Sequence, residues 1–337
     1  MVVALLPQHQ ESRFPERGEV RPGRARWSPC SEAVELLDSA GGPFDSSAYR
    51  ACWTQSLPGW RDVSYGAQMR NGTRAAVSLL LHGGHAESIP YNYGTIVATR
   101  PLHDEQVGSF LEAARTSCGA DQLVARSVPI RPAPSICHVG ARIAGWTSVV
   151  YLEKGGALES RFAQKARQSI RKAARAGAEI DATTDPEGFL PLYAATSTGH
   201  WMRYPEELIK SLSHTGVARF FNVRLDSACV ASVMVLTSSQ HWMAWLAAQN
   251  DRGRDIDANY FAWGNMLAAA QQTRVAGVNL GISLGMPGVA HFKRRFDAIE
   301  VPVLEYRVMP WAERARLRAI DFKSKGLRRA RRLARRA

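Results

Sequence analysis

The sequence predicts an α/β (α+β) fold made of two successive domains, with mixed, mostly antiparallel sheets flanked by helices. A length of 337 residues is enough for about two domains. The composition, with 45% hydrophobic and 22% charged residues, is ordinary for a globular protein. Helical and strand patterns alternate along both halves, and short polar turns separate three successive strands in the second half. These observations favour sheets covered by helices over an all-helical or all-strand architecture.

We expect four segments along the chain. Residues 1–30 contain several Pro, Gly and Arg and no periodic pattern, which predicts a flexible leader. Residues 31–145 are the first domain, with helices predicted at 47–57 and 103–118 and strands at 75–82, 93–99 and 122–128. Residues 146–310 are the second domain, and residues 311–337 form a basic C-terminal helix or tail.

The second half contains the longer series of predicted elements. A strand at 147–152 precedes a basic helix at 158–176, which ends at Gly177 as at a C-cap. A strand at 178–182 and helices at 185–197 and 205–214 follow. Strands at 218–225, 229–237 and 241–248 are joined by turns short enough to make them antiparallel neighbours. The series ends with a helix at 256–275, a strand at 278–282, a helix at 287–296 and a strand at 301–307.

The most informative stretch is residues 287–307, which read PGVAHFKRRFDAIEVPVLEYR. A helical turn there places Lys293 between Phe292 and Phe296, directly before an apolar strand. Burial of a lone ammonium costs several kcal/mol unless a negative group offsets it. Lys293 therefore pairs with a carboxylate, extends along the surface with its charged end in water, or faces a substrate on which negative charge develops.

The order of elements in the second half resembles that of the GNAT N-acyltransferase fold, and the first half resembles a degraded copy of it. Three segments are similar to FemAB-like (Fem-type) aminoacyltransferases and other double-GNAT proteins. They are IPYNYGTIVATRPL at 89–102, LESRFAQKARQSIRKAARAGAEI at 158–180 and GVNLGISLGMPGVAHFKRRFDAIEVPVLEY at 277–306. Two positions depart from the family pattern, because Thr95 and Asp297 stand where Gly is usual. The resemblance implies tandem GNAT-like acyltransferase domains.

The resemblance also implies a chemistry. Fem-type enzymes move an amino acid from aminoacyl-tRNA to an amine of a peptidoglycan precursor or related peptide, in cell-wall biogenesis, with no cofactor beyond the donor substrate. Aminolysis of the ester creates an oxyanion, which a fixed cation stabilises only as its charge appears. Lys293 matches the Phe-Lys position of the family and is the implied catalytic residue. Phe292 either shapes the substrate pocket or is a plain core aromatic, and Tyr260 is a further candidate for substrate binding.

Further substrate-binding candidates lie in both halves. The stretch GHWMRYPEELI at 199–209 resembles the region where the family contacts phosphate or carboxylate, which implicates Arg203 and Tyr204. Arginine suits this contact because its planar guanidinium binds such groups in a bidentate manner; a surface arginine at a helix start is the alternative. Tyr91 and Tyr93 lie where a first-domain pocket is expected, although alternating aromatics in a strand also serve packing.

The sequence shows no convincing general base. His291 adjoins Lys293 but on a helix points about 100–200° away from its neighbours. Asp255 and Asp257 could act as bases, or could cap the helix that follows them. Deprotonation assisted by the substrate fits a reaction with a good leaving group.

Positive charge is concentrated in two segments. Of the formal net charge of +13, residues 312–337 carry +9, from eleven Lys/Arg and two acidic residues. A block of this density typically binds an anionic partner such as RNA or an anionic membrane face, or is a solvated tail. The helix at 158–176 is also basic and could follow a tRNA acceptor arm or be a solvated face. The candidates for tRNA or anion binding are Arg161, Lys165, Arg171, Lys172, Arg294, Arg328 and Arg332.

Two rival functions remain open. An acyl-CoA-dependent GNAT enzyme acting on the cell envelope or an exopolysaccharide would need a glycine-rich pyrophosphate loop before its long helix. Here that place reads QNDRGRDIDANYF, with misspaced glycine and two aspartates that repel a pyrophosphate. The second rival is a non-catalytic RNA- or membrane-binding scaffold, which the basic tail supports equally well.

Hydrophobicity and cysteine content indicate the compartment and limit the partners. No apolar run approaches the roughly 20 residues needed to cross a bilayer, and the first seven residues make a poor signal peptide. Five scattered cysteines without a CxxC pair argue against a structural zinc or a disulfide framework. We expect a cytoplasmic monomer without a bound metal, which could also contact the inner face of the membrane peripherally. Its expected partners are tRNA and an amine-bearing peptide or peptidoglycan precursor.

Overall fold

A computed structural model describes residues 26–88, 95–128, 141–153, 157–196, 203–283 and 285–310. The first half contains three helices and eight short strands in the described residues. They are β1 (Trp27–Pro29), α1 (Glu35–Ala40), α2 (Ser47–Ser56), β2 (Arg61–Asp62), β3 (Tyr65–Met69), β4 (Arg74–Val77), β5 (Leu80–His82), β6 (His85–Glu87), β7 (Ile96–Ala98), α3 (Asp104–Ser117) and β8 (Gln122–Ser127).

The second half has longer strands. Its elements are β9 (Arg142–Tyr151), α4 (Leu158–Arg161), α5 (Gln164–Arg175), β10 (Glu179–Thr183), α6 (Leu190–Thr196), α7 (Glu206–His214), β11 (Ala218–Leu225), β12 (Ala228–Leu236), β13 (Trp242–Gln249), α8 (Asp251–Asp255), α9 (Ala258–Gln272), β14 (Gly277–Ile282), α10 (Pro287–Arg294) and β15 (Ile299–Val308). The predicted order of elements in this half is confirmed, and so is the antiparallel pairing of β11, β12 and β13.

The strands form two sheets. A four-stranded sheet has the order β1-β3-β4-β7, and an eleven-stranded sheet has the order β10-β11-β12-β13-β14-β9-β15-β8-β6-β5-β2. The pairs β13–β14 and β6–β8 are parallel, and the other described pairs are antiparallel. The last strand, β15, lies between β9 of the second half and β8 of the first, so the larger sheet runs through both halves. The predicted boundary between residues 145 and 146 falls inside β9.

Alternating residues of the central strands face two separate cores. On β12, Val233 and Val235 belong to a core under α5 and α9, whereas Met234 and Leu236 belong to a core under α2, α6 and α7. Because side chains alternate along a strand, these cores lie on opposite faces of the sheet. We call them the α9 face and the α7 face. A third core joins α3 of the first half to β15.

Several predicted boundaries were wrong. The apolar run at 75–82 was predicted as one strand, but it is divided between β4 in the smaller sheet and β5 in the larger one. The chain leaves the first sheet at Ser78, and the backbone N–H of Leu79 donates to the hydroxyl of Ser64 instead of to a strand. The predicted leader is also too long, because Trp27–Pro29 pairs with β3.

Three predicted helices are shorter than expected. The basic helix at 158–176 is interrupted at Phe162, whose extended backbone turns its ring into the core, and Ala163 N–H then donates to the carbonyl of Arg295 at 2.8 Å. The helix predicted at 185–197 begins at Leu190, after a turn over Asp185 and Pro186. The helix predicted at 256–275 is preceded by the separate short helix α8 and ends at Gln272.

Candidate active site

The side chain of Lys293 is buried at the end of β14. α10 follows that strand and begins with Pro287, whose fixed backbone angle suits the first helical turn. Lys293 is only 4% exposed, and its Nζ donates to the carbonyl oxygens of Gly281 at 2.8 Å and Ile282 at 2.9 Å. Within the described residues no carboxylate forms an ion pair with this ammonium. The lysine is therefore held by two backbone dipoles.

An irregularity in β14 presents these two carbonyl groups. The pairing of β14 with β9 shifts between Asn279 and Ile282, and Gly281 has a φ of 82°, a conformation that favours glycine. The buried Asn279 Oδ1 accepts hydrogen bonds from Gly281 N–H at 2.8 Å and from the Thr147 hydroxyl at 2.6 Å. Asn279 thereby fixes the bulge, and the bulge directs its carbonyl groups at Lys293.

Burial shifts the titration of Lys293. Loss of hydration lowers the pKa of the ammonium to about 8, and the charge of Glu300 acts weakly in the opposite direction. At neutral pH the side chain is still mainly charged. A dehydrated cation without an ion-pair partner interacts strongly with any negative charge that forms beside it.

A cluster of aromatic rings lies against α10. The Phe292 ring is 4.8 Å from that of Tyr260 and 5.3 Å from that of Trp263, both edge-on. Phe296 is fully buried and contacts all three rings. Phe292 and Tyr260 are half-buried, so they border the buried cluster rather than fill its centre. The hydroxyl of Tyr260 also accepts a hydrogen bond from Arg295.

β13 and β14 separate next to Lys293. These parallel strands pair at only two positions, Trp242 with Val278 and Met243 with Asn279. Beyond them β13 continues to Gln249 and β14 to Ile282 without pairing to each other, so an opening forms between the two strands. Trp245 is an extra residue in β13 opposite the Met234–Val235 step of β12.

Tyr204 lies near the β13 side of this opening. Its ring is 4.4 Å from that of Trp245, and its backbone N–H donates to the hydroxyl of Tyr193 at 3.0 Å. Both aromatics pack against the core of the α7 face, whereas Phe292 packs against the core of the α9 face. Arg203 is exposed. Tyr204 therefore lies on the opposite side of the sheet from Phe292, the neighbour of Lys293 in the sequence.

The predicted anion-binding residues differ in their availability. Arg161 pairs with Asp297 (Nη2 to Oδ2, 2.5 Å) and donates to the carbonyl of Tyr151 at the end of β9. Its guanidinium therefore links α4 to β9 and to the turn after α10, and it is not an exposed residue available to an anion. Lys165 and Lys172 are about half exposed and lie 3.9 and 3.6 Å from the Asp257 carboxylate. Arg171 and Arg294 are exposed. Tyr91, Tyr93, Arg328 and Arg332 lie outside the described residues.

The three candidate bases, Asp257, Asp255 and His291, lie in surroundings that differ from one another. Asp257 occupies the N-cap position of α9 as predicted, yet its side chain makes no capping hydrogen bond and instead accepts from the Ser169 hydroxyl at 3.0 Å. Asp255 ends α8, and His291 is exposed. None of these three contacts Lys293 in the described residues.

Sequence reasoning missed Asn279 and Thr147 as supports of the site, although Asn279 lies in the family-like segment at 277–306. It also missed Asp45, a fully buried carboxyl that accepts hydrogen bonds from Gly42 N–H at 2.7 Å and Thr95 N–H at 2.9 Å. Burial raises the pKa of Asp45 to about 7. Its neighbours Gly42, Pro43 and Phe44 carry no pattern that predicts a buried acid.

The described part of the chain contains no group of three or more His, Cys, Asp or Glu residues placed to hold a metal ion. Its helices include none that is both long and apolar enough to cross a lipid bilayer.

Comparisons with known proteins establish the fold. Residues 160–294 match the family model described as an acetyltransferase (GNAT) domain. A crystal structure of FemX superposes with a TM-score of 0.60 at 12% identity, over 84% of this chain and 97% of that chain. The C-terminal domain (DUF2156) of a candidate lysylphosphatidylglycerol synthetase from Agrobacterium fabrum superposes with a TM-score of 0.52 at 15% identity, over 87% of this chain and 96% of that chain. No curated protein matches the sequence.

The predicted fold class is therefore confirmed: the chain has the GNAT acyltransferase fold, and its likeness to FemX covers both halves. The resemblance to FemAB-like double-GNAT proteins is confirmed at the level of the fold.

Proposed function

We propose that this protein is a Fem-type aminoacyltransferase, which moves an amino acid from its ester on tRNA to an amine of an envelope precursor or related peptide. The acceptor nitrogen attacks the ester carbonyl and a C–N bond forms. The ester C–O bond then breaks, the terminal ribose hydroxyl of the tRNA leaves with a proton, and an amide remains. One observation carries this proposal: the buried ammonium of Lys293, held by two carbonyl groups at the end of β14.

Lys293 suits the charge that this reaction develops. Attack on the ester converts its neutral carbonyl into an oxyanion, and the electrostatic benefit of a cation appears mainly at that stage. Two acceptors fix the position of Nζ, while an ammonium has three N–H donors, so one donor is left for the oxyanion. The bulge of β14 holds the cation before the substrate arrives, which limits reorganisation during the reaction.

The opening between β13 and β14 supports binding of an acyl group at this site. Lys293 binds the carbonyl groups at the β14 side of the opening, and the ring of Tyr204 contacts Trp245 at the β13 side. Phe292 and Tyr260 provide apolar walls on the α9 face. The likeness to FemX agrees with this assignment but by itself extends only to the fold.

An acyl-CoA donor is the second candidate, favoured by the match to an acetyltransferase family model. The start of α8, where a pyrophosphate would lie, argues against it. Gly253 N–H already donates to the side chain of Asn250 at 2.9 Å, and a Cβ at Gly253 would lie 2.3 Å from the carbonyl of Val230. The carboxylate of Asp251 in the same turn is exposed and forms an ion pair with Arg254. These features leave the turn poorly suited to a doubly charged phosphate group.

A donor comparison tests the proposal. The protein is incubated with radiolabelled aminoacyl-tRNA pools or with labelled acetyl-CoA, together with an extract of amine-bearing envelope precursors. We expect label from aminoacyl-tRNA to appear in a product that resists mild alkali, because an amide survives conditions that hydrolyse an ester. Label transferred from acetyl-CoA alone would favour the second candidate. No transfer from either donor would favour a scaffold.

A further inference from the structure

Three arginines surround one buried carboxylate where the two halves share their sheet. Glu305 on β15 is 2% exposed, and its Oε2 accepts from Arg126 Nε at 3.0 Å. Its Oε1 accepts from Arg142 Nε at 2.6 Å and from Arg307 Nη2 at 3.2 Å. A second acid, Glu87, lies 3.4 Å from Arg126 Nη1. We call Arg126, Arg142, Arg307 and Glu305 the arginine cluster.

The arginine cluster carries more positive charge than its acids neutralise. Even when the neighbouring Glu87 is counted with Glu305, three guanidinium groups face two carboxylates, which leaves a net charge of +1 (3 − 2). The neighbouring arginines hold the pKa of Glu305 below its usual value, so this acid stays charged. The surplus is accessible, because Arg142 is 62% and Arg307 36% exposed. A guanidinium has five N–H donors, so both retain donors beyond those used on Glu305.

The arginine cluster and the candidate active site lie on neighbouring strands of the larger sheet. Glu305 and Val301 lie on the same face of β15, and Val301 is paired with Thr147, the residue that also pairs with Ile282. Four residues of extended strand separate Glu305 from Val301, a distance of about 13 Å. Ile282 in turn provides one of the carbonyl groups that bind Lys293. The cluster and the bulge of β14 are thus linked through Thr147, although Val301 packs with Val149 on the face of the sheet opposite the α9 face.

We propose that Arg142 and Arg307, oriented by Glu305, bind an oxyanion group of the acceptor, a phosphate or a carboxylate, and so hold the acceptor on the sheet that also carries the bulge of β14. This inference deepens the proposed function and rests on it for the role of the acceptor. Glu305 serves as the positioning residue, because its Oε1 accepts from both Arg142 and Arg307. Each guanidinium keeps further N–H donors, and a planar guanidinium suits phosphate or carboxylate. The binding site itself exists whether or not the donor is aminoacyl-tRNA.

Equilibrium binding of small anions tests the site without any acyl transfer. Inorganic pyrophosphate and glutarate are titrated separately into the full-length protein by calorimetry, which distinguishes phosphate from carboxylate recognition. For the preferred anion we expect Arg142→Gln to raise the Kd about tenfold or more, because a charged hydrogen-bonded contact is lost. Arg142→Lys should bind with intermediate affinity, since it keeps the charge and loses the planar fork. Arg307→Gln repeats the test at the second arginine.

Arg224→Gln is the matched control. Arg224 on β11 forms a partly exposed ion pair with Asp181 on the edge strand β10, several strands away from β15, so its loss should leave the Kd unchanged. Equal Kd values for wild type, Arg142→Gln and Arg307→Gln would overturn the proposal, as would an equal effect of the control. A loss of tRNA affinity in Arg142→Gln with both small-anion Kd values retained would also overturn it, because the cluster would then serve the nucleic acid. Failure of the donor comparison leaves this binding result intact, so the two proposals fail separately.

Discussion

Lys293 shows how a backbone can hold a charge without neutralising it. Desolvation lowers the pKa of the ammonium, and two carbonyl dipoles compensate only part of the lost hydration. The sequence allowed prediction of a buried lysine beside aromatic rings. It did not allow prediction of the partners, because backbone carbonyl groups become available only through the irregular conformation of Gly281 and Ile282.

Asp297 illustrates the same limit. It adopts a φ of 61°, in the left-handed region that glycine favours and that Asp tolerates better than most residues. Its carboxylate binds Arg161, which sequence reasoning had assigned to tRNA. An ion pair between residues 136 positions apart has no local pattern, so charge alone could not show that Arg161 is engaged.

The titration of Lys293 gives a prediction about pH. If the ammonium stabilises the oxyanion, transfer should slow as pH rises through about 8, because the cation loses its proton. Stability should change in the opposite direction. Between pH 8 and the ordinary lysine pKa of 10.5 the unfolded chain binds more protons than the folded protein, so the free energy of unfolding rises with pH. Single-turnover rates and thermal melts over this range measure both. A rate with no alkaline decrease that depends on Lys293 would contradict this role of the ammonium.

At the scale of elements, β14 and α10 form the central unit of the site. The Asn279 side chain fixes the bulge, the bulge directs two carbonyl groups, and α10 delivers Lys293 to them. Hydrophobic periodicity predicted the strand and the helix with nearly correct ends. It could not predict the bulge, since a register shift depends on hydrogen bonds with β9, a strand more than a hundred residues earlier.

Substitution of Asn279 tests this coupling. Asn279→Ala leaves the Thr147 hydroxyl and Gly281 N–H without their acceptor, so we expect a loss of about 2–4 kcal/mol of stability together with a lower kcat. Asn279→Asp keeps both hydrogen bonds and adds a negative charge, which should raise the pKa of Lys293 and move the alkaline limit of activity upward.

Asn222→Ala is the control for this substitution. Asn222 is also buried, and its Oδ1 accepts from the Ser232 hydroxyl at 2.7 Å, away from Lys293. The Asn222→Ala substitution should reduce the melting temperature and leave the kcat of the protein that remains folded unchanged. An equal kcat for Asn279→Ala and Asn222→Ala under folded conditions would show that the bulge has no part in catalysis.

At the scale of the whole molecule, β15 unites the two halves. It pairs with β9 over most of its length and with β8 from Leu304 onward, so a single sheet of eleven strands carries both the candidate active site and the arginine cluster. The element order predicted two GNAT-like units. The shared sheet could not be predicted, because nothing in the pattern of β15 specifies which distant strands flank it.

Removal of residues 312–337 tests the role of the basic tail. If this segment binds tRNA, the truncated protein should lose tRNA affinity, and the dependence of log K on log salt should weaken by about 0.7 per lost single-strand phosphate contact. Filter binding over a salt series measures both effects. A truncated protein that keeps its tRNA affinity but no longer binds anionic vesicles would assign the tail to a membrane surface.

The most direct test of the account is the single-turnover rate of acyl transfer in Lys293→Met, with whichever donor labels the amine. Lys210→Met is the control, because Lys210 is half exposed and paired only with Glu206 on α7. We expect Lys293→Met to lower the rate constant about 100- to 1000-fold while donor affinity is retained, and the control to match wild type. A Lys293→Met protein that transfers the acyl group at the wild-type rate would contradict the account.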